Sequence, residues 1–296
     1  AMSTVLNTGL NYLLIFGKCG LPALGIQGAA VATLLARITE FAVCSFCAVR
    51  SRLLPIQWRA FFRPGWEMLR RFVKYSSPVI LNETAWGLGN SMLTVILGYT
   101  DNSVEMLAAN AVMGNLNRLF LVVCFGLGAA TAVIIGKSIG EGRSHQEVMD
   151  LSRTLLVFTA LVGAGLTALS LLLVPTLFVP VVFPLFKLYG ESAAIATALA
   201  VTGFLSIPLH AYSISAVTGV LRAGGDVFWS TLLDVGPQWC MALPLTALLA
   251  LVLKADYWWI AAAIQSESLL KVPLCALRIR TGQWIHDVTV RKERGQ

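Results

Sequence analysis

Charged side chains are scarce in this sequence. They make up 12% of the 296 residues, about half the share of roughly 25% found in an average soluble domain. So few charges cannot cover the surface of a water-soluble protein of this length, and the mean hydropathy of +0.75 agrees. The low charge therefore excludes an ordinary soluble enzyme, and the 57% share of hydrophobic residues excludes a disordered chain.

Cysteines and catalytic motifs are also sparse. Six cysteines in 296 residues are too dilute for a disulfide-stapled secreted module. Cys44 and Cys47 have C-x-x-C spacing, but they lie in an apolar segment, where cysteine usually acts as a small apolar residue. The sequence has no P-loop, no G-x-S-x-G and no H-E-x-x-H motif. We therefore expect no enzyme activity, no metal site and no ATP-driven pumping.

Long apolar segments dominate what the sequence does contain. A membrane-spanning helix needs about 20 mostly apolar residues. Seven segments meet this length: residues 21–49, 75–98, 106–136, 154–179, 192–221, 227–252 and 257–277. Residues 4–16 are apolar but too short to cross. Because the segments lack the alternation of barrel strands, they predict an all-α polytopic membrane protein with seven complete transmembrane helices and a partial first one.

Basic residues are distributed unevenly between the two sides of these spans. Sixteen of the 22 lysines and arginines lie in segments 50–74, 137–153 and 278–296 or at Arg222, all on one side. Three lie in the alternate loops and three within spans. Because this excess marks the cytoplasmic side, we expect a cytoplasmic C-terminus. We interpret the net charge of +7 as contact with membrane lipid headgroups rather than with nucleic acid.

Ionisable side chains within the apolar segments are the candidate functional residues. Each costs about 2.5–3.5 kcal/mol at the centre of a span, so such residues are usually functional. The sequence contains eight of them: Arg37, Glu40, Glu83, Arg118, His210, Asp234, Glu267 and Lys271.

Glu83 is the strongest of these candidates because no basic residue lies one helical turn away to neutralise it. Burial of an unpaired carboxyl favours its protonated form, which suits a proton carrier. In its ionised form Glu83 would instead bind sodium through oxygen, with Asn82 beside it. The structural alternative is an ion pair with a residue of a neighbouring helix.

The other ionisable residues have both structural and functional interpretations. Glu267 and Lys271 are four residues apart, which suits an ion pair on one helix that serves either as a gate or as a structural pair. Arg37 and Glu40 are three apart and are expected to form a structural pair. Asp234 is expected to form a packing pair.

Polar residues near these positions are secondary candidates for cation or substrate binding. Asn115 and Asn117 precede Arg118, which either faces a cavity or pairs with an acid of another helix. His210 is either a titrating group or a hydrogen-bonded spacer, and Tyr212 lies two residues beyond it.

Several motifs spread over nearly the whole chain resemble those of one transporter family. They are LGIQGAAVAT at 24–33, PVILNETAWGLG at 78–89, GKSIG at 136–140 and GVLRAGGD at 219–226, followed by Glu267, Lys271, Arg278 and Trp284. In order and spacing they resemble the multidrug and toxic compound extrusion (MATE) family. The subtype resembles bacterial members whose seventh helix carries an Asn-Glu-x-x-Trp pattern.

The MATE resemblance implies a fold of twelve helices in two six-helix lobes. On this interpretation residues 1–50 are the end of the N-terminal lobe, with a partial fifth and a complete sixth helix, and most of that lobe is missing. Residues 51–74 are a basic cytoplasmic linker between the lobes. Residues 75–277 form the C-terminal six-helix lobe, and residues 278–296 form a cytoplasmic tail.

The resemblance also implies secondary antiport, in which inward flow of H+ or Na+ drives export of amphipathic, often cationic, compounds across the bacterial inner membrane. Glu83 matches the seventh-helix acid that such transporters use for coupling and for substrate. Several relatives carry a second acid on the tenth helix, where this sequence reads LHAY at 209–212, so we predict proton coupling. No cofactor beyond the coupling ion is implied, and the full-length protein is expected to be a monomer.

Two other functions stay open from the sequence. A flippase for lipid-linked precursors, from the same superfamily, would have several cationic residues facing the cavity, and Arg37, Arg118 and Lys271 are compatible with this. A seven-helix receptor would have a first span that begins cleanly, which the short apolar segment 4–16 disfavours. We therefore expect a multidrug efflux antiporter.

Overall fold

The computed structural model of the protein describes residues 2–18, 20, 22–50 and 65–285, without the side chains of Arg71 and Tyr75. All regular secondary structure in these residues is helical. The expectation of an all-α polytopic fold is therefore confirmed. The predicted linker 51–74 and tail 278–296 lie partly outside the described residues.

Nine helices make up the described part of the chain. They are α1 Met2–Phe16, α2 Gly25–Arg50, α3 Trp66–Gly98, α4 Ser103–Gly140, α5 His145–Leu185, α6 Glu191–Leu205, α7 Ile207–Leu221, α8 Val227–Val252 and α9 Tyr257–Arg280. Within α5, α7 and α8 the hydrogen bonding becomes π-helical at Val174–Val182, Ser215–Leu221, Gln238–Ala242 and Leu248–Val252. Short π-helical segments are frequent at functional sites.

The chain divides into two compact units, residues 1–71 and 72–296. In the first unit α1 packs along α2. Gly28 permits this contact, because a Cβ at that position would lie 2.6 Å from the carbonyl oxygen of Leu14. The second unit contains most of α3 and all of α4–α9. The assignment of these regions to two lobes joined by residues 51–74 stays a prediction.

The helices that could span a membrane correspond to the predicted apolar segments, but there are up to six of them instead of seven among the described residues. Helices α2, α4, α5, α8 and α9 are long and apolar enough to cross a membrane, and the bent pair α6–α7 makes a sixth such span among the described residues. Helix α3 has 33 residues but is not in this set. The predicted count of seven complete spans is therefore not confirmed.

The predicted span 192–221 is broken in the structure at Ser206, where α6 and α7 meet at an angle of 46°. Pro208 lies in the first turn of α7 and has no backbone N–H, so it leaves the carbonyl of Phe204 without its helical donor. The hydroxyl of Thr167 in α5 donates to that carbonyl at 2.8 Å. The bend is therefore anchored to a neighbouring helix.

Helix α3 begins at Trp66, nine residues before the predicted start at 75. Glu67 lies in its first turn, where a negative charge interacts favourably with the helix dipole. Part of the segment that we interpreted as a linker is therefore helical and continuous with the helix that carries Glu83.

Two apolar cores lie along α9, which contributes to both. One contains Phe204, whose ring packs 5.1 Å from that of Phe120, and includes Ile260 near the start of α9. The other surrounds the fully buried Trp284 and includes Ile279 near the end of α9. The middle of α9 therefore runs from one core to the other, and its polar residues lie between them.

Glycine in α5 permits a close approach of α7. A Cβ at Gly163 would lie 2.8 Å from the Cα of Pro208 and 3.0 Å from the Cβ of Ala211. Gly165, two residues along the same helix, has no atom within 4 Å of the corresponding position. Helices in lipid approach closely through such small residues.

We expect Gly163→Ala to lower the stability of the protein by about 1–3 kcal/mol, because the added methyl group collides with the backbone of α7. Gly165→Ala is the matched control. It should leave stability unchanged or raise it by up to about 1 kcal/mol, since alanine favours a helix. Thermal unfolding in detergent measures both, and equal melting temperatures for the two variants would contradict the proposed contact.

Candidate functional site

Seven polar side chains from four helices and one loop meet inside the second unit. They form what we call the charge cluster: Asn82 and Glu83 of α3, His210 of α7, Arg222 directly after α7, Asp234 of α8, and Glu267 and Lys271 of α9. Some of these contacts join residues that are far apart in the sequence, such as Asn82 and Asp234 at 152 residues, so the packing of the helices brings them together.

Asp234 and Lys271 form the centre of the charge cluster. Nζ of Lys271 lies 3.0 Å from Oδ1 of Asp234, and the lysine side chain is only 8% exposed. The amide of Asn82, which is buried, donates to Oδ2 of the same carboxylate at 2.9 Å. A charge is tolerated in a low-dielectric interior only when it is paired and hydrogen-bonded. This ion pair therefore fixes α8 against α9, with α3 as the third contact.

Arg222 lies between two carboxylates and is held loosely by both. Nη1 lies 3.4 Å from Oε1 of Glu83, and Nη2 lies 3.7 Å from Oδ2 of Asp234. The arginine side chain is 18% exposed, and its Nε and Nη2 atoms are buried without a hydrogen-bond partner in the described part of the chain. The guanidinium thus has unused donors.

Glu267 and His210 extend the charge cluster towards the middle of the bundle. Nζ of Lys271 is 3.9 Å from Oε1 of Glu267, and Nε2 of His210 is 3.7 Å from the same oxygen. The other ring nitrogen of His210 is 3.1 Å from the carbonyl oxygen of Ser206, at the α6–α7 bend. Acids and bases therefore alternate from Glu83 to His210.

A separate ion pair lies at one end of the bundle. The position of the charge cluster along the helices can be measured from this pair. Arg278 and Asp226 are joined at 2.7 Å, and the guanidinium stacks 4.9 Å from the ring of Trp229. Lys271 lies seven residues before Arg278 and Asp234 eight residues after Asp226. At 1.5 Å per residue these separations correspond to about 10–12 Å along the helices. The charge cluster therefore lies inside the bundle rather than at its rim.

The charge cluster contains more acids than permanent cations. Glu83, Asp234 and Glu267 are three carboxylates, whereas Arg222 and Lys271 are two fixed positive charges. Counted without the histidine, the sum of these fixed charges is one negative charge. Such a site has room for one further positive charge, whether a proton or a bound cation.

Glu83 is the part of the charge cluster that is open to the surroundings, with 62% of its side chain exposed. Trp86, one turn further along α3, is also exposed. The exposed indole of Trp239 in α8 donates from its N–H to the carbonyl of Ala85 at 3.2 Å. Along α3 the accessible carboxylate is therefore three residues from one exposed indole and two residues from the backbone carbonyl that a second indole binds.

The structure corrects two of the interpretations made from the sequence. Glu83 is not unpaired, because Arg222, from another element, lies within ion-pair distance of it, and its role in cation coupling stays a prediction. Arg222 in turn is not simply a charge of the cytoplasmic rim, because its side chain reaches two acids of the charge cluster.

Both ion pairs expected within single helices are confirmed. Glu267 and Lys271 are paired across one turn of α9, although Lys271 is closer to Asp234. In the first unit Nη1 of Arg37 lies 2.6 Å from Oε2 of Glu40, and both side chains are exposed.

The remaining candidates lie outside the charge cluster. Asn115 and Arg118 are exposed on α4, and Arg118 forms no ion pair within the described residues. The amide of Asn117 packs against Gly203 in α6. Tyr212 packs against the second apolar core, the one that surrounds Trp284. The polar residues of α4 are therefore not brought together with Glu83.

Arg222 was missed as a site residue, although the sequence contains a signal for it. It is the only basic residue between the spans that end at 221 and begin at 227, whereas the other segments on its side carry three or more. A lone arginine is less able to anchor a loop to lipid headgroups, and it directly follows an apolar helix. That position lets its long side chain turn back into the bundle.

Comparison with known proteins finds relatives of this chain in Bacillus subtilis. No protein-family model matches the chain. The chain is 23% identical over 282 residues to an uncharacterized transporter, YisQ, of Bacillus subtilis, covering 95% of the chain and 60% of the relative. It is 25% identical over 258 residues to the probable multidrug resistance protein YoeA of the same organism, covering 84% and 52%. The chain thus spans just over half the length of these curated relatives.

Solved structures show the same fold. A MATE protein in complex with MaL6 superposes with a TM-score of 0.78 at 19% identity, covering 95% of this chain and 62% of the other. The eukaryotic MATE transporter AtDTX14 superposes with a TM-score of 0.76 at 19% identity, covering 95% and 60%. Together with the apolar helices, these likenesses identify a multi-pass membrane protein.

We expect Lys271→Met to destabilise the protein by about 3 kcal/mol, because it leaves the carboxylate of Asp234 buried without its closest cation. The double variant Lys271→Met with Asp234→Asn should cost less than the sum of the single variants by about 1 kcal/mol or more, because the two residues are in contact. Lys137→Met, which removes an exposed pair with Glu141, should cost at most about 1 kcal/mol. Unfolding titrations in detergent measure these changes, and strict additivity would contradict the pairing.

Proposed function

Because the chain belongs to the MATE family by sequence similarity and fold, we propose that it exports amphipathic organic cations by secondary antiport with protons. In this proposal it acts in the bacterial inner membrane with its C-terminus in the cytoplasm. It is not an enzyme, requires no cofactor beyond the coupling ion, and contacts small-molecule substrates and membrane lipid but not nucleic acid. The full-length transporter is a monomer.

The observation that carries this proposal is the surrounding of Glu83. Its carboxylate is exposed, the exposed Trp86 follows three residues later on the same helix, and the exposed indole of Trp239 binds the carbonyl of Ala85, two residues from Glu83. A carboxylate attracts a positive charge, and an aromatic face binds both the charge and the apolar body of an organic cation. This combination suits an amphipathic cation better than a neutral or anionic compound.

The charge balance supports exchange between a proton and a cation. The three carboxylates of the charge cluster exceed its two fixed cations by one. One added positive charge makes the site neutral, and a second one is unfavourable in a low-dielectric region. A proton on Glu83 and a cationic substrate beside it therefore exclude each other, which is the requirement for antiport.

Protons suit the charge cluster better than sodium as the coupling ion. Each oxygen of Asp234 has one partner, Lys271 on Oδ1 and Asn82 on Oδ2, and this carboxylate is less exposed than that of Glu83. Glu83 is then the accessible carboxylate, and a proton needs only one such group, whereas sodium needs several oxygen ligands. The span 192–221 contributes His210 but no acid, in keeping with this preference.

The flippase alternative finds less support in the charge cluster. It calls for several cationic side chains that are free to bind a lipid-linked phosphate. Lys271 and Arg222 both lie beside carboxylates, and Arg37 is paired with Glu40. The sum of charges at the site is negative, which disfavours an anionic ligand.

We predict that Glu83→Gln, expressed from the natural gene, lowers efflux of the fluorescent cation ethidium at least about tenfold, because loss of one charge–charge contact of roughly 1.4 kcal/mol gives that factor. Efflux is measured in proteoliposomes with an imposed pH gradient and, separately, with an imposed sodium gradient. The matched control is Glu141→Gln, which changes an exposed surface glutamate and should leave efflux unchanged.

Undiminished transport by Glu83→Gln would refute the assignment of this residue. Transport driven only by the sodium gradient would refute proton coupling while leaving cation export intact. Transport of an anionic lipid-linked probe in place of ethidium would favour the flippase.

A further inference from the structure

The guanidinium of Arg222 lies between two carboxylates and is bound closely by neither. Its Nη1 lies 3.4 Å from the exposed Glu83 and its Nη2 lies 3.7 Å from the more buried Asp234. Charge-assisted hydrogen bonds are usually about 2.7–2.9 Å long, so neither contact is optimal. Two of its three guanidinium nitrogens are buried without a hydrogen bond among the described residues. The guanidinium is therefore shared between two acids.

Asp234 is able to take up the guanidinium fully. A carboxylate offers about four lone-pair sites, and Asp234 uses them for Asn82 and Lys271 only, apart from the distant Arg222. A shift of about 1 Å by Nη2 would give a full hydrogen bond to Oδ2. A guanidinium held by Glu83 and one held fully by Asp234 therefore differ by a small movement of one side chain.

The backbone that carries Arg222 is held firmly, so this movement belongs to the side chain. The N–H of Asp226 donates to the carbonyl of Leu221 at 2.9 Å, which closes the turn after α7. Gly225 has a φ of +87°, and Gly224 lies against the buried ring of Trp284, where a Cβ would collide with the indole. A fixed backbone and a long side chain make a tethered charge.

We propose that Arg222 is a tethered cation that competes with the transported cation for Glu83, and that Asp234 receives it while the transported cation is bound. This inference rests on the proposed function, since it requires that Glu83 binds the substrate cation. Binding of a cation at Glu83 moves Arg222 onto Asp234. Return of Arg222 to Glu83 displaces the cation and keeps the carboxylate paired when the site is empty.

The proposal gives Arg222 and Asp234 opposite effects on affinity. Removing the tethered charge leaves Glu83 free for the substrate, whereas removing its alternative partner confines Arg222 to Glu83. A residue with a merely structural role would weaken binding in both cases. Tighter cation binding without Arg222 and weaker cation binding without Asp234 would therefore indicate competition rather than structural support.

The test is binding of ethidium to the detergent-purified full chain, followed by fluorescence. We expect Arg222→Gln to tighten binding about tenfold and Asp234→Asn to weaken it about tenfold, since 1.4 kcal/mol corresponds to a factor of ten and close charge pairs contribute at least that much. Arg222→Lys keeps the charge and should stay near the wild-type affinity. Arg153→Gln and Asp150→Asn, at an exposed ion pair on α5, are the matched controls and should change nothing.

The double variant Arg222→Gln with Asp234→Asn separates the role of Arg222 from that of Lys271. If Asp234 acts by receiving Arg222, the double variant binds ethidium as tightly as Arg222→Gln alone. If the double variant binds ethidium more weakly than Arg222→Gln alone, Asp234 supports binding without Arg222. Asp234 then acts through Lys271, and the proposal is wrong. Thermal unfolding of each variant identifies any that do not fold, and Arg222→Lys still reports on the charge in that case.

Failure of this inference is distinguishable from failure of the proposed function. If Glu83→Gln abolishes ethidium binding but Arg222→Gln weakens it, Glu83 is a cation site and Arg222 is not a competitor. If the wild-type chain does not bind ethidium, or Glu83→Gln binds it normally, the cation site itself is refuted and the competition falls with it.

Discussion

The ion pair between Lys271 and Asp234 is the interaction on which the arrangement of the second unit depends. A lysine that is 8% exposed in an apolar bundle is tolerated only with a carboxylate in contact. Because the two residues lie on α9 and α8, their pairing sets the register of these helices. Asn82 binds the same carboxylate and brings α3 into that register. The charge cluster therefore stabilises the packing of three helices and is also the candidate functional site.

Close helix packing is what permits these charges to meet. Gly163 lets α5 approach α7 at Pro208, and Gly219 of α7 lies against Thr131 of α4. The bend at Ser206 turns α7 relative to α6, and the hydroxyl of Thr167 satisfies the carbonyl that the bend leaves free. Positions that lack a side chain thus allow helices to approach one another. Both glycine contacts involve α7, which carries His210 and leads directly to Arg222.

Most members of the charge cluster could be found from the sequence by selecting the ionisable residues that lie within apolar segments. Glu83, His210, Glu267 and Lys271 all stand out because an ionisable group is costly in a membrane span. Pairing was predictable where the partner lies one turn away, as for Glu267 and Lys271, because helix geometry fixes that distance. It was not predictable for Glu83, whose partner Arg222 is 139 residues further along the chain.

The sequence by itself determined the class of the protein, the positions of its apolar helices and the family resemblance, because composition, segment length and short motifs are local properties. Only the tertiary structure decided which charges neutralise one another. That depends on distances between helices, which no pattern within one helix contains. Packing left Asn115 and Arg118 outside the charge cluster and brought Arg222 into it, since a side chain at the end of a helix is free to turn either to lipid headgroups or into the bundle.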